Sequence, residues 1–235
     1  LLCPNLLSLT TYYNDPMTNN PGMRRRNLAH ILRLAHREGP LRRAELTEAT
    51  GLNRSTIGDL VTELVSLGLI TETAPSAGGH VGRPSPIVVV DSRVVAIAVN
   101  PEVDALTIAA VGLDQRIAVR ERRELDHLIT PEETARMIAE SVDAWRHREL
   151  VGHRITGLGI AVPGLVRASD GLVRVAPHLR WRDTPLRALV AAATGLEVSV
   201  GNDATMGAIA GHLFGAGRGH DTVVYLNGGA SGIGG

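Results

Sequence analysis

The residues Asn53-Arg54-Ser55-Thr56 set one cation among three small hydrogen-bonding side chains. At the start of a helix, such a group can hold a phosphate through its hydroxyls and the helix N-terminus, while the guanidinium forks onto a guanine edge. The same residue types also serve as a plain N-cap, with Asn53 or Ser55 satisfying the first amides and Arg54 in solvent. Farther on, Gly82-Arg83-Pro84 fixes an extended backbone around a single Arg. That segment suits a minor groove, whose narrow A·T stretches attract Arg, and it also reads as a Gly/Pro linker. Arg43, which opens the preceding helix, completes the candidate DNA contacts. All 24 basic side chains are Arg and none is Lys, which excludes a Schiff-base amine or a phosphate-loop lysine.

The elements that would position these residues follow from periodicity. Leu28, Ile31, Leu32, Leu34 and Ala35 share one helical face over 24–37, and Gly39-Pro40 ends that helix. A short second helix over 43–50 is expected to bury Ala44, Leu46 and Ala49, with Gly51 freeing a tight turn. In the third helix Ile57, Leu60, Val61, Leu64 and Leu67 form a stripe that ends at Gly68. Residues 69–73 and 87–90, joined by a Gly-rich tip over 76–82, read as a β-hairpin. Helix, helix, turn, helix, hairpin is the order of a winged helix-turn-helix, whose third helix enters the major groove.

Charge divides along the same line. Residues 23–86 carry nine Arg against six acids, a net of +3, whereas residues 87–235 carry fifteen Arg against seventeen acids. The formal neutrality of the whole chain therefore does not exclude nucleic acid. With 235 residues, 44% of them hydrophobic, the chain has the material for one large or two small globular domains. No apolar run approaches the roughly 20 residues of a membrane span. The lone Cys3 leaves no intramolecular disulfide and no Cys-based zinc site, which suits the cytoplasm. Residues 1–22, rich in Asn and Pro, read as a disordered leader, with Met17 or Met23 as alternative starts. The leucines at the front lack the basic segment and continuous apolar core of a signal peptide.

The body reads as α/β. Strands are expected at 94–99, 106–111 and 116–120, then a helix opened by Pro131 that buries Ala135, Ile138, Val142 and Trp145. A strand at 155–162, a turn at Pro163-Gly164, a helix over 185–194 stopped by Gly195, and a strand at 197–200 follow. Loops then leave the strand ends, where ligands bind in such folds. Asn202-Asp203 after the last strand can cap a helix over 205–214.

Four segments carry a resemblance: Gly159-Ile160-Ala161-Val162-Pro163-Gly164; Ala176-Pro177-His178-Leu179-Arg180-Trp181 with Pro185-Leu186; Gly201-Asn202-Asp203-Ala204; and a strand over 222–226 entering a Gly-rich turn. In order and spacing the chain resembles the ROK family of sugar kinases and transcriptional repressors, and the winged helix in front marks the repressor branch. The resemblance implies residues 23–90 as the winged helix-turn-helix and 91–235 as an incomplete actin-like ATPase domain, its first lobe and the start of its second. It also implies that Pro163, Gly164, His178, Asn202 and Asp203 bind sugar, with Asp203 at the position of the kinases' general base. A carboxylate there can accept hydrogen bonds from sugar hydroxyls or take a proton from one.

The chain departs from the kinase pattern in three ways. The first phosphate loop corresponds to Val99-Asn100-Pro101-Glu102-Val103-Asp104, which has no Gly to bring backbone amides to a phosphate and adds acids. His178 stands where the family uses an Asn. The chain also stops at the second phosphate loop, 228–235, short of the rest of that lobe and the family's zinc ligands; the nine His are scattered without ligand spacing. The expectation is a non-enzymatic, cytoplasmic, homodimeric repressor of sugar genes, without cofactor or metal, that binds double-stranded DNA and a sugar or sugar-phosphate. The alternatives are a sugar kinase and a truncated DNA-binding fragment.

Overall fold

The structure, a computed structural model, describes residues 21–74, 86–229 and 232–234. The described residues divide into two compact units: one that runs up to Val94 and takes in Leu113–Gln115, and a body that starts at Val95 and holds the rest.

In the first unit, α1 (Pro21–Glu38), β1 (Leu41–Arg42), α2 (Arg43–Thr50) and α3 (Arg54–Ser66) precede β2 (Ile70–Thr73) and β3 (Ile87–Val90). The apolar stripes predicted for α1 and α3 close on each other: Ile31, Leu32 and Ala35 meet Leu46, Ile57, Leu60, Val61 and Leu64 in one core with Ile70, Val88 and Val90. Strand β3 lies between β1 and β2 in a three-stranded antiparallel sheet. The two-residue β1, pairing Leu41 with Val88, is too short to show a period and was not expected.

Two expectations within these helices are corrected. In α2 only Leu46 is buried, and Ala44 and Ala49 are exposed. At about 100° per residue Ala44 points to the opposite side of the helix from Leu46, and Ala49 lies to one flank. Leu67 is the C-cap of α3 and is 47% exposed, outside the stripe. The hairpin tip, with Arg83 and its Gly/Pro neighbours, lies outside the described residues.

The body is built on a five-stranded sheet in the order β11-β7-β4-β5-β6. Its strands are β4 (Val94–Pro101), β5 (Ala105–Gly112), β6 (Ile117–Glu124), β7 (Arg154–Val162) and β11 (Val198–Asn202). Strands β4, β5 and β6 form an antiparallel meander, while β11 runs parallel to β7. Helix α4 (Pro131–Arg146) buries Ala135, Ile138, Val142 and Trp145 as the spacing predicted, with Pro131 in its first turn and Thr130 as N-cap. Between β7 and α5 (Leu186–Thr194), a small sheet of β8 (Leu165–Arg167), β9 (Leu172–Ala176) and β10 (Trp181–Thr184) contains a single 3₁₀ turn, Pro177–Leu179. The buried Trp181 ties this sheet to the segment before α4, donating from Nε1 to Ile129 O at 2.9 Å.

Helix α6 (Asp203–Phe214) follows β11 directly. The strand expected over 222–226 is absent: these residues carry no strand pairing, and Val224 and Leu226 are 85% and 76% exposed. No strand lies beside this run to form a ladder with it, and pairing begins only at β12 (Asn227–Gly229) with β13 (Gly232–Gly234).

At the entry to α4, His127 faces a carboxylate from each ring nitrogen, Asp126 Oδ1 at 2.8 Å and Glu133 Oε2 at 2.9 Å. A neutral imidazole can donate only once, so the pair favours the imidazolium. The hydrogen bond with Asp126, then that with Glu133, raises the His127 pKa above its ordinary value of 6.5. Because the folded pKa is the higher one, the stabilisation is complete below the unfolded value and is lost as pH rises through the folded one. Urea midpoints measured across neutral pH should therefore fall with rising pH more in the wild type than in His127→Ala.

Candidate functional site

Parallel pairing of β11 with β7 sets Asn202 opposite Val162, so the Pro163-Gly164 turn and the start of α6 leave the sheet side by side. There Asn202 makes three kinds of contact. Its Oδ1 accepts from Thr205 N at 2.9 Å and caps α6, the simplest role open to it. Its Nδ2 donates to Gly164 O at 3.0 Å and to Asp203 Oδ1 at 3.1 Å. The cap amide thus also fixes the turn and the carboxylate, and the cap and site readings of this residue describe one arrangement.

A second amide completes the clamp. Asn227, at the start of β12, donates from Nδ2 to Asp203 Oδ2 at 3.1 Å. Each Asp203 oxygen is held by one amide, which leaves further lone pairs for the hydroxyls of a bound molecule. Asn227 was missed in the sequence, where it stands 24 positions from its partner and outside any helical or strand period. A carboxamide directly before a Gly-Gly pair was the only signal.

Gly164 is required by close approach. A Cβ built there would stand 2.4 Å from Val175 O and 2.8 Å from Ala176 Cα. The Pro163-Gly164 turn is therefore pressed onto β9, whose last residue leads into Pro177-His178. His178 is exposed on this 3₁₀ turn, and none of the hydrogen bonds of the Gly164, Asn202, Asp203 and Asn227 cluster involves it. The turn ends in Arg180, a non-glycine residue at φ +57°. Arg167 stiffens the adjoining β8–β9 hairpin and holds the Asp170 carboxyl at about 2. The arrangement can hold a polyhydroxylated ligand by the Asp203 carboxylate and the remaining capacity of the Asn227 amide beside a strand-end turn, while the Asn202 amide, bonded to Gly164, Asp203 and Thr205, fixes their geometry.

The β4–β5 connection bears on phosphate binding. Arg122 of β6 pairs with Glu102, with Glu124 at 2.9 Å and with Asp104 at 3.6 Å. Glu102 N donates to Ala105 O at 2.8 Å. The acids of this loop are committed to an ion-pair cluster, and the backbone closes on itself. Among the described residues no three His, Cys, Asp or Glu side chains come together as a metal site, and no helix is long and apolar enough to cross a membrane.

In the first unit, Asn53 is the N-cap of α3. Its Oδ1 accepts from Thr56 N at 2.9 Å and from Ser55 Oγ at 2.7 Å. Two of the three small polar side chains of the motif are thus bonded to each other, and Arg54 is exposed at the first helical position. Arg43 is engaged: Nε and Nη2 each donate to the Glu72 carboxylate at 2.6 Å, binding α2 to the hairpin strand β2. The pair occupies two of the five N–H donors of the guanidinium.

The ROK family profile matches residues 96–235. The chain is 27% identical over 200 residues to the xylose repressor of Bacillus subtilis, covering 84% of this chain and 51% of that protein. It is 33% identical over 139 residues to a glucokinase of Streptomyces coelicolor, covering 59% of this chain and 42% of that enzyme. A solved ROK family transcriptional regulator, described as a homologue of the E. coli Mlc protein, superposes with a TM-score of 0.60 at 26% identity, over 79% of this chain and 49% of that one. The chain thus spans about half the length of the curated relatives it matches. From β4 onward the family profile takes in well over half of the sequence, and the chain belongs to the ROK family.

Proposed function

We propose that the protein is a DNA-binding transcriptional regulator of sugar-metabolism genes, acting as a repressor, with a body that senses sugar without phosphorylating it. The observation that carries this reading is how far each match extends. The match to the xylose repressor takes in 84% of the chain, whereas that to the glucokinase stops at 59%. The family profile begins only at residue 96, so the repressor match must reach into the helical unit, where residues 23–90 supply the winged helix-turn-helix.

In this reading α3 lies in a major groove, with Arg54 on a base edge and the capped N-terminus formed by Asn53, Ser55 and Thr56 against a phosphate. Arg43, which pairs with Glu72, adds a contact from the second helix, and Arg83 enters the minor groove. Pro163, Gly164, His178, Asn202 and Asp203 bind a sugar or sugar-phosphate. The active form is a cytoplasmic homodimer, because paired reading units match the two half-sites of an operator. Sugar shifts the affinity for DNA, and DNA by reciprocity shifts the affinity for sugar.

The identity to the glucokinase favours one second reading, ATP-dependent phosphorylation of a hexose. A coupled ATP assay with D-glucose and D-xylose separates the two. No turnover above background agrees with the regulator reading, and turnover that disappears in Asp203→Ala would replace it with the kinase.

A further inference from the structure

The turn between β5 and β6, Leu113-Asp114-Gln115, belongs to the helical unit, while the strands on either side of it belong to the body. The chain therefore passes between the units not only at Val94/Val95 but again at Gly112/Leu113 and Gln115/Arg116. In the body the hairpin is closed by Gly112 N donating to Arg116 O at 2.8 Å.

Within the helical unit the turn is anchored in three ways. Leu113 packs against the core formed by α1 and α3, and its amide donates to Val94 O at 2.9 Å. Its carbonyl accepts from His36 Nδ1 at 2.5 Å; a carbonyl cannot donate, so that nitrogen carries the hydrogen. Gln115 Nε2 in return donates to His36 O at 2.7 Å. His36 lies in the last turn of α1, where carbonyls lack a partner within the helix, so Gln115 caps the helix from outside.

Gln115 itself sits at φ +67°. A three-residue hairpin loop of this kind normally places Gly at its left-handed position. Glycine would be relaxed there but has no amide to offer His36, and a strained backbone persists only where surrounding contacts hold it.

We propose that the Leu113–Gln115 turn is a latch through which the body sheet governs the stability of the DNA-reading unit. Strand β5 pairs with β4, and β4 neighbours β7, which leads into the Pro163-Gly164 turn. A change at the strand ends that shifts β5 or β6 moves the anchors of α1, and α1 forms one core with α3. The regulatory meaning of the latch rests on the function proposed above; its mechanical action does not.

The test uses the full chain and two probes. Both tryptophans, Trp145 and Trp181, are in the body, so their fluorescence reports body unfolding, while hydrogen exchange of the α3 amides reports the helical unit. In the wild type the two urea transitions should coincide. Gln115→Gly, which removes the amide and relaxes the backbone, and His36→Ala should each move the α3 transition about 0.5 M lower and leave the tryptophan transition in place. In the double variant the effects should be less than additive, since the two residues form one device. Separate transitions in the wild type would overturn the latch, as would α3 protection that is unchanged or increased in Gln115→Gly. Absence of duplex binding would strike the regulator reading alone and leave this result standing.

Discussion

Gly164→Ala is expected to destabilise the body by about 3 kcal/mol, because the added methyl has nowhere to go. It would meet Val175 O at 2.4 Å and Ala176 Cα and Cβ at 2.8 Å, all fixed parts of β9. The turn must move off the strand, and the 3.0 Å bond from Asn202 Nδ2 to Gly164 O is strained or lost with it. Overpacking costs typically about 1–3 kcal/mol, and the hydrogen bond adds about 1 kcal/mol. Thermal unfolding followed by tryptophan fluorescence should shift down by about 10 °C. Gly201→Ala provides the comparison. There the nearest atoms to a Cβ belong to the side chain of Met206, with Cε at 2.6 Å, a flexible end that can turn away. A shift for Gly164→Ala no larger than that for Gly201→Ala would show that the turn is not pressed on β9.

Arg54→Ala should weaken binding to a selected duplex about tenfold and leave the fold intact. Asn53 and Ser55 are bonded to each other at the cap, so Arg54 is the member of the motif whose polar head is available to a base. Exposed substitutions of this sort change stability by less than about 0.5 kcal/mol, so a loss of affinity at unchanged urea midpoint is assigned to the interface. If the guanidinium reads a guanine, discrimination at that one base pair should fall with it. If it only touches phosphate, affinity should drop by the same factor on every sequence. Fluorescence anisotropy with the selected duplex and single-base variants of it distinguishes the two.

The elements legible in the sequence were those long enough to repeat a pattern. Ile57, Leu60, Val61 and Leu64 mark α3, and Ala135, Ile138, Val142 and Trp145 mark α4, because each set crosses several helical turns. β1 has two residues and no period. The small sheet around Pro177–Leu179 consists of strands of three to five residues separated by turns, and it was readable only as motif segments. The run over 222–226 shows the opposite case: Val223, Val224, Tyr225 and Leu226 have strand composition, yet a strand exists only where a neighbour takes its hydrogen bonds.

At the site, the types and order of Pro163-Gly164 and Asn202-Asp203 were visible, but their physical roles were not. Gly164 is needed because of Val175 and Ala176, eleven and twelve residues later, and Asp203 is oriented by Asn227. Such requirements arise from tertiary contact and leave no local signature. Arg43 shows the same from the other side: the sequence offered it as a DNA contact at the start of the second helix, and only the fold reveals its pair with Glu72, 29 positions away.

The most direct measurement of the central claim is equilibrium binding of the folded chain to double-stranded DNA, selected from a random pool, as a function of salt. Neutralising a handful of phosphates predicts that affinity falls by about 10²- to 10³-fold between roughly 50 and 200 mM salt, linearly on logarithmic axes. A folded sample that binds no duplex at low salt, or binds with no dependence on salt, would contradict the account.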